Sequence, residues 1–377
     1  MNTSVKLLYI ANLRLPTEKA YGIQIVKMCE AFAMQGYEVV LAYPFRDNDI
    51  KDDVFSYYSV KRNFKVKRIW APDFYFSGRL DKASVHIKGI ISALLLYFYA
   101  ITKKPDIIYS RDEWPLYFLS FFSGSNLFFE AHRFSSLRNI FYKRFLSKKI
   151  KIIAISENIK NNFLNMGFKN TDLLVAHDGV DLNIFDARIS KEDARDRTSL
   201  PQNTKIVMYA GHLFTWKGVD TLGEAAKLMP EVTFVFVGGT NADVENFRDK
   251  FGQVKNILIL GHKPYKEMPI FLGAADILVL PNSAKEKISI YTSPLKLFEY
   301  MASGRPIIAS DLPSIREVLN ENNSVLVKPD NPEDLARGIK LILDRADLGK
   351  EFAGKSLEEV RNYSWEQRAK KILTFSI

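Results

Sequence analysis

Short apolar runs alternate with segments of helical period along almost the whole of this 377-residue chain. In the first half the runs read VKLLYIAN, EVVLAYP, DIIYSR, NLFFEAH and KIIAIS. In the second half they read KIVMYAG, TFVFVGG, NILILGH, DILVLP, PIIAS and SVLVKP. Their apolar residues are mostly consecutive, which is typical of strands in a parallel sheet that is covered by helices on both faces. The pattern therefore predicts an α/β chain of doubly wound, Rossmann-like sheets.

A polar stretch, FDARISKEDARDRTSLPQNT, interrupts this pattern after Asp181 and is a candidate linker. We therefore expect two domains of similar size, residues 1–185 and residues 186–361, which agrees with the length of the chain. Residues 362–377 form one more amphipathic segment and predict a final helix. Two such domains facing each other across a cleft would bind ligands at the carboxyl ends of their strands.

Several broad classes are excluded by composition. The single cysteine, Cys29, allows neither an intrachain disulfide nor a cysteine zinc cluster. The first residues, MNTSVKLLYIAN, show no signal-peptide pattern. The longest apolar run, Gly89 to Ile101, has about 13 residues and is too short to span a bilayer. We therefore expect a cytoplasmic protein.

Positive charge is concentrated in the first half. Residues 1–185 carry 26 Lys and Arg against 17 Asp and Glu, whereas residues 186–377 carry 27 against 26. In SVHIKGIISALLLYFYAITKK and RNIFYKRFLSKKIK, aromatic and aliphatic residues are interleaved with these cations. This combination favours peripheral contact with an anionic membrane, at the inner face of the cytoplasmic membrane. A buried helix with a basic rim is the alternative; nucleic acid fits the charge, but no nucleic-acid-binding motif is present.

The stretch from Thr292 to Ile308, TSPLKLFEYMASGRPII, reads as a helix that could bind an anion. Ser293 is a favoured N-cap residue and Pro294 suits the first helical position, so the next amides are available to phosphate oxygens. Glu299 follows roughly 7–8 Å further along the axis, about the separation of a diphosphate from a ribose. The residues alone leave open an ordinary capped helix in which Lys296 and Glu299 form a solvated ion pair.

Two further residues are expected at the carboxyl edges of strands. Lys217 lies in GHLFTWKG, whose glycine spacing resembles a phosphate loop but lacks its Lys-Ser/Thr ending, and it could reach a diphosphate as a point charge. His132 ends the run NLFFEAH, and the neighbouring Arg133, with Arg14, could assist an anionic acceptor. The alternatives are a solvated loop lysine, a structural histidine and plain surface charge.

No cofactor or metal site is expected from the remaining motifs. The first strand is followed by a single glycine, Gly22, and no G-x-G-x-x-G, so a nicotinamide-dependent enzyme is not indicated. The acidic triplet at Asp47, Asn48 and Asp49 lies in a polar loop and reads as solvated charge. No spacing of histidine or cysteine indicates zinc.

Taken together, these motifs resemble the retaining glycosyltransferases of family 4, which have the two-Rossmann GT-B fold. The resemblance includes the Gly22 loop, the strand that ends in His132, ISENIKNNF and HDGVDLNIF, in that order. It continues through YAGHLFTWKGVD, FVGG, LGH, ADILVLPNS and SPLKLFEYMASGRPII, and the final Trp365 segment resembles the helix that crosses back to the first domain. The joint order of the motifs, more than any one of them, carries the resemblance.

The resemblance implies roles for matching positions. Lys217 would neutralise the donor diphosphate, Glu299 would bind the nucleotide ribose, and His132 would contact the transferred sugar or the acceptor. The implied donor-binding residues are Gly22, Gly211, His212, Lys217, Thr292, Ser293, Pro294, Leu295, Lys296 and Glu299. On the acceptor side they are Arg14, Tyr21 and Arg133.

Two positions depart from the family pattern. His212 stands near the place where the family usually has an arginine, and Tyr291 replaces the first carboxylate of its E-x7-E pair; Glu286 is a candidate substitute. The resemblance implies transfer of a sugar from a nucleotide diphosphate donor to a glycan or lipid-linked hydroxyl, without a metal or other cofactor, in envelope polysaccharide, capsule or lipopolysaccharide assembly. A GT-B nucleotide-sugar epimerase and a non-catalytic glycan-binding or scaffold protein are the alternatives.

Overall fold

The computed structural model describes residues 5–75, 81–122, 124–185, 189–286, 291 and 293–376. The chain divides into two compact units. The first comprises Met1–His177 together with Trp365–Ile377, and the second comprises Asp178–Ser364. Compared with the boundaries drawn from the sequence, the second unit begins eight residues earlier and extends three residues further.

The first unit is built on a seven-stranded parallel sheet in the order β3-β2-β1-β4-β5-β6-β7. Consecutive apolar residues are buried on both faces, as the run Leu7–Ile10 and all four residues of β4 show. The strands are Lys6–Ile10 (β1), Glu38–Pro44 (β2), Lys65–Ile69 (β3), Ile107–Ser110 (β4), Asn126–Ala131 (β5), Lys151–Ala154 (β6) and Leu173–Val175 (β7). The helices are Ala20–Met34 (α1), Val54–Tyr58 (α2), Asp81–Lys103 (α3), Glu113–Phe122 (α4), Asn139–Ser147 (α5) and Glu157–Asn165 (α6).

The second unit is built on a six-stranded parallel sheet in the order β10-β9-β8-β11-β12-β13. One apolar core fills each face of this sheet. The strands are Lys205–Ala210 (β8), Val232–Val237 (β9), Ile257–Gly261 (β10), Ile277–Leu280 (β11), Ile307–Ser310 (β12) and Val325–Val327 (β13). The helices are Lys191–Thr198 (α7), Val219–Lys227 (α8), Asn241–Phe251 (α9), Met268–Ala274 (α10), Leu295–Ala302 (α11), Pro313–Arg316 (α12), Pro332–Asp344 (α13) and Ala346–Glu359 (α14).

The last helix, Trp365–Ser376 (α15), belongs to the first unit, as the sequence predicted. It packs on α1. Its apolar side, Trp365, Ala369 and Ile372, is buried. The predicted doubly wound fold of both halves, with a returning C-terminal helix, is therefore confirmed.

Two segments differ from their sequence predictions. The stretch interpreted as a linker contains α7, which Ser190 caps by accepting a hydrogen bond from the amide of Asp193. Ala194 and Arg195 of this helix are buried, and Arg195 binds Asp276 at 2.6 Å. The pattern missed this helix because its charged residues outnumber its apolar ones.

The apolar run counted as 13 residues lies in α3, which has 23 residues. By length and composition α3 could cross a membrane, a test that core helices of soluble proteins also pass. The prediction that this segment is too short was therefore wrong. In the structure one side of α3 is buried, including Leu96 and Ala100, and the helix packs on α4.

Candidate active site

Each sheet contains one point at which the strand order reverses. This point lies between β1 and β4 in the first unit and between β8 and β11 in the second. Ligands of doubly wound sheets bind at the carboxyl ends of the strands beside such a reversal. In the second unit, β8 leads directly into the loop Gly211–Gly218, and Lys217 lies in a 3-10 turn at its end. The structure therefore places Lys217 beyond the carboxyl end of β8, as the sequence predicted, and this edge lies beside the reversal of strand order, which we call the switch point.

Gly218 sets the position of this lysine. Its φ is +74°, and a Cβ on it would lie 1.6 Å from the carbonyl oxygen of Pro281, the residue that follows β11. Its amide donates to the carbonyl of Thr215, and its own carbonyl accepts from the amide of Leu222 in the first turn of α8. Only glycine satisfies both the left-handed backbone and this close approach, so the Lys217 loop is held tightly against β11.

The same loop carries a stack of flat side chains. The rings of His212 and Phe214 are parallel, with centroids 4.9 Å apart, and Trp216 stacks on Phe214 at 6.2 Å. The Lys217 ammonium lies 3.9 Å from the centre of the Trp216 ring. Burial lowers the pKa of Lys217 to about 8. Lys217 is therefore packed against Trp216, unlike the solvated loop lysine of the alternative interpretation. Because its pKa is close to neutral pH, a bound anion would favour its charged form.

The start of α11 differs from its prediction. The N-cap is Pro294 and helical residues begin at Leu295, one position later than expected. Ser293 makes no capping bond; its hydroxyl accepts a hydrogen bond from the amide of Asp178 (3.0 Å). Proline has no amide hydrogen, and the Leu297 amide donates to the Pro294 carbonyl, so the amides of this terminus without an intrahelical partner are those of Leu295 and Lys296. Gly304 follows the C-cap Ser303 with φ +64°.

Lys296 is the residue whose environment the sequence did not reveal. It is 9% exposed, and among the described residues its ammonium has no hydrogen-bond partner. The ammonium lies 3.7 Å from the centre of the Tyr209 ring, and a Cβ on Gly211 would lie at the same distance from it. Burial, and then the charge of Lys217, lower the pKa of Lys296 well below its usual value.

The alternative of a solvated ion pair between Lys296 and Glu299 was therefore wrong. Glu299 is hydrogen-bonded to Tyr265, which follows β10. Burial raises the pKa of the Glu299 carboxyl to about 7, against the opposing effects of Tyr265 and Lys296. Among the described residues the Lys296 ammonium has no hydrogen-bond partner, and the Glu299 carboxyl on the same short helix is only partly ionised near pH 7. An anion bound beside Lys296 would supply the missing negative charge.

In the first unit, His132 directly follows β5, as predicted. Its Nε2 is hydrogen-bonded to Oε1 of Glu130 (2.6 Å), and Glu130 is completely buried. Burial, and then the charge of Arg111, lower the pKa of His132 to about 4. Sequence reasoning named the histidine but missed both Glu130 and Arg111, which lies just after β4.

The remaining predicted positions of the first unit are near the ends of β1 and β5. Gly22 is buried in the first turn of α1, and a Cβ there would lie 2.0 Å from the Tyr58 hydroxyl, so packing already requires glycine. Arg14 pairs with Glu18 at 2.9 Å, and Arg133 is exposed. Tyr21 lies beneath the guanidinium of Arg111, 5.6 Å from its carbon.

The first carboxylate of the family's E-x7-E pair is replaced here by Tyr291, and two nearby predicted positions are Thr292 and Glu286. Thr292 lies outside the described residues, and Tyr291 is half-buried. Glu286 is exposed and lines a cavity of about 480 Å³ in the second unit, together with Phe214 and Asn246. The structure brings Gly211, Lys217, Lys296 and the Tyr209 ring together at the switch point of this unit, and it places Glu286 in the wall of that cavity.

Comparison with known proteins supports this description. The family described as Glycosyltransferase Family 4 matches residues 22–184, and the family described as Glycosyl transferases group 1 matches residues 190–358. HepE of Anabaena, solved in complex with UDP-glucose, has a TM-score of 0.76 at 17% identity, covering 98% of this chain and 99% of HepE.

Two curated relatives agree at the level of sequence. The putative teichuronic acid biosynthesis glycosyltransferase TuaC of Bacillus subtilis is 24% identical over 338 residues, 84% of this chain and 80% of TuaC. An uncharacterized glycosyltransferase of Methanocaldococcus jannaschii is 24% identical over 251 residues, 63% of this chain and 62% of the relative. The two family matches cover most of the chain in the order of its two sheets, and the chain therefore belongs to glycosyltransferase family 4, with the GT-B fold.

Proposed function

We propose that this protein transfers a sugar from a nucleoside diphosphate sugar to a hydroxyl acceptor, with retention of anomeric configuration. The observation that carries the proposal is the buried Lys296 ammonium, which has no hydrogen-bond partner among the described residues and lies close to Lys217. An uncompensated buried cation is unfavourable unless a counter-ion binds. A diphosphate supplies that counter-ion at the switch point where such ligands bind.

The proposed chemistry depends on stabilising the leaving diphosphate. Negative charge develops on it as the glycosidic bond breaks, and Lys217, Lys296 and the first amides of α11 are placed to receive that charge. These cations take the part that a divalent metal plays elsewhere, so no metal is included in the proposal. The acceptor attacks on the face that the diphosphate leaves, and a phosphate oxygen takes its proton. His132 contacts the transferred sugar or the acceptor.

The substrates are proposed by chemical class. HepE binds UDP-glucose, and TuaC is named for teichuronic acid biosynthesis. These names support a nucleotide sugar as donor and a growing envelope glycan as acceptor, with the work done at the inner face of the cytoplasmic membrane. UDP-sugars are therefore the first donors to test.

The direct test is calorimetry with UDP, GDP and ADP, followed by transfer assays with the sugars of the nucleotide that binds. We expect one nucleoside diphosphate to bind more tightly than its monophosphate. Binding of none of the three would contradict the proposal. Incubation of the donor without acceptor separates the epimerase alternative, because an epimer would accumulate without net transfer. The anomeric configuration of the product, read by NMR, tests retention.

The pKa values of the donor site predict a bell-shaped pH dependence of kcat/KM for the donor. An ionised Glu299 accepts ribose hydroxyls best, and its carboxyl has a pKa of about 7, so activity should rise about sixfold between pH 6 and pH 7.5, where most of Lys217 is still charged. Lys217 loses its charge near pH 8, which gives the falling limb. The variant Glu299→Gln should lower activity and lose the rising limb; an unchanged rising limb in this variant would assign it to another group.

The first unit has exposed aromatic rings and cations on α3, α4 and α5, and α3 and α5 lie in the segments for which the sequence predicted contact with a membrane. Phe98, Phe121 and Phe122 of α3 and α4 are 57%, 45% and 75% exposed, and the Tyr97 ring contacts both Phe98 and Phe122. Arg144 of α5 lies over the Phe121 ring at 3.7 Å. The same helices also carry exposed cations: Lys103 at the end of α3, Lys143 in α5 and Lys148 directly after α5. We call this set of rings and cations the aromatic–basic face, and we propose that it attaches to anionic lipid.

Vesicle co-sedimentation tests the aromatic–basic face. The native protein should bind vesicles that contain phosphatidylglycerol, bind neutral phosphatidylcholine vesicles weakly, and dissociate as salt is added. Replacing Phe98 and Phe122 together by Ser should weaken binding about tenfold or more, because two rings no longer enter the interface. The control Leu228→Ser removes an apolar side chain of the second unit that is 53% exposed, close to the 57% of Phe98. Equal loss in both variants, or no binding at low salt, would contradict the proposal.

A further inference from the structure

A buried carboxylate lies directly behind His132. Glu130, in β5, accepts hydrogen bonds from the Gln24 amide of α1 and from the Tyr109 hydroxyl of β4. Although burial raises the pKa of this carboxyl, Arg368 and His132 lower it below its usual range. Glu130 is therefore ionised, and an ionised carboxylate only accepts hydrogen bonds.

This fixes the protonation of the histidine ring. Because Glu130 is an acceptor, His132 Nε2 must carry a proton and donate it across the 2.6 Å contact. The ring is neutral near pH 7, since its pKa is about 4. A neutral ring with a proton on Nε2 has its lone pair on Nδ1, so it offers a substrate hydroxyl an acceptor at that atom.

The charge that balances Glu130 comes from the far end of the chain. Arg368 of α15 is 4% exposed, and its Nη2 lies 3.1 Å from Glu130 Oε1. The same guanidinium donates to the carbonyls of His177 (2.8 Å) and Ala176 (3.2 Å), which follow β7. Its position is thus determined by the backbone of the first unit, and it approaches both carboxylate oxygens of Glu130.

We propose that Arg368 is a positioning residue which, through Glu130, keeps His132 neutral and in the Nε2–H tautomer. The proposal rests on the function proposed above only for the use that the reaction makes of His132. It gives α15 a role in the site in addition to its packing on α1. The charged and titratable groups that act on His132 within the first unit are Arg111, Glu130 and Arg368, with Tyr109 hydrogen-bonded to the same carboxylate.

The charges around Glu130 must balance in the buried interior of the first unit. With Arg368 present, Glu130 has a permanent partner and His132 need not be charged. When Arg368 is replaced by Met, the buried carboxylate keeps Gln24 and Tyr109, but no permanent cation among the described residues is hydrogen-bonded to it. Protonation of His132 then restores neutrality, because a carboxylate in contact with an imidazole favours the imidazolium. The histidine should change from a neutral acceptor to a charged donor.

The experiment is a pH titration of the full chain by NMR of ¹⁵N-labelled histidine side chains. The chain has five histidines, and the variant His132→Gln assigns the signal. In the native protein, His132 should stay neutral with the proton on Nε2 from pH 5.5 to pH 8. In Arg368→Met its pKa should rise by about two units or more. Arg368→Lys should restore most of the native behaviour, and Lys370→Met, an exposed residue of the same helix, should have no effect.

The readouts separate this inference from the proposed function. A native His132 that titrates near 6.5, or that carries its proton on Nδ1, overturns the inference even if every variant misfolds. An unchanged His132 in a folded Arg368→Met protein overturns it as well. If the NMR result holds, kcat/KM of Arg368→Met should be reduced below the new His132 pKa and recover above it. If the NMR result holds but no nucleotide sugar is used, the proposed function fails instead.

Discussion

Replacement of Lys217 by Ala should lower kcat/KM for the nucleotide sugar by about a hundredfold to a thousandfold, the usual cost of removing one preorganised group from a developing negative charge. The lysine is held between Trp216 and the backbone turn at Gly218, so its ammonium is oriented before the donor arrives. Most of the loss should appear in kcat, because the charge on the diphosphate is greatest as the bond breaks. Steady-state kinetics with the donor identified by calorimetry measure it.

The matched control is Lys340→Ala, which removes an exposed lysine from α13 in the same unit. It should have native turnover and the same response to salt. Lys217→Arg distinguishes the charge of the side chain from its shape. If a positive charge alone were enough, this variant would keep its activity. If the packed position beside Trp216 requires lysine, the variant loses activity. Near-native turnover in Lys217→Ala, with the fold intact by circular dichroism, would remove Lys217 from the site.

The strands that could be predicted from the sequence are those with runs of consecutive apolar residues, most of which are buried. Runs such as Leu7–Ile10 are apolar on both faces because helices cover both, and this pattern needs no knowledge of distant residues. The strands β3 and β7 were missed for local reasons. β3 is an edge strand, KVKRI, whose charged side chains are largely exposed, and β7 has only three residues.

The site divides in a similar way. Lys217 and Glu299 lie in local motifs, and the sequence was enough to name them as candidates. The environment of Lys296 in α11 could not be read from its neighbours in sequence, because the Tyr209 ring beside its ammonium comes from β8, a distant part of the chain. The pairing of Glu130 with Arg368 joins residues 238 positions apart, and a single sequence contains no signal for it. Local preference predicted that the Ser293 hydroxyl caps α11, but in the structure it accepts a hydrogen bond from the amide of Asp178, a residue distant in sequence.

Replacement of Gly218 by Ala should destabilise the protein by about 2–5 kcal/mol. Alanine in the left-handed region costs about 1–2 kcal/mol, and forcing an extra methyl group into a packed site costs about 1–3 kcal/mol. The methyl group would overlap the Pro281 carbonyl, which belongs to the backbone beside β11 and cannot rotate away like a side chain. Urea unfolding of the full chain measures the loss of stability.

The control for Gly218 separates its two requirements. Gly261 has a similar φ of +66°, but no atom lies within 4 Å of the position a Cβ would take. Gly261→Ala should therefore show the backbone cost alone, about 1–2 kcal/mol, and keep its activity. Gly218→Ala should lose more stability than this control and, even where folded, most of its turnover, because the Lys217 turn must move away from β11 to make room. Equal losses in the two variants would mean that the loop is free to shift, and that the position of Lys217 is set by the donor after binding and not by the fold beforehand.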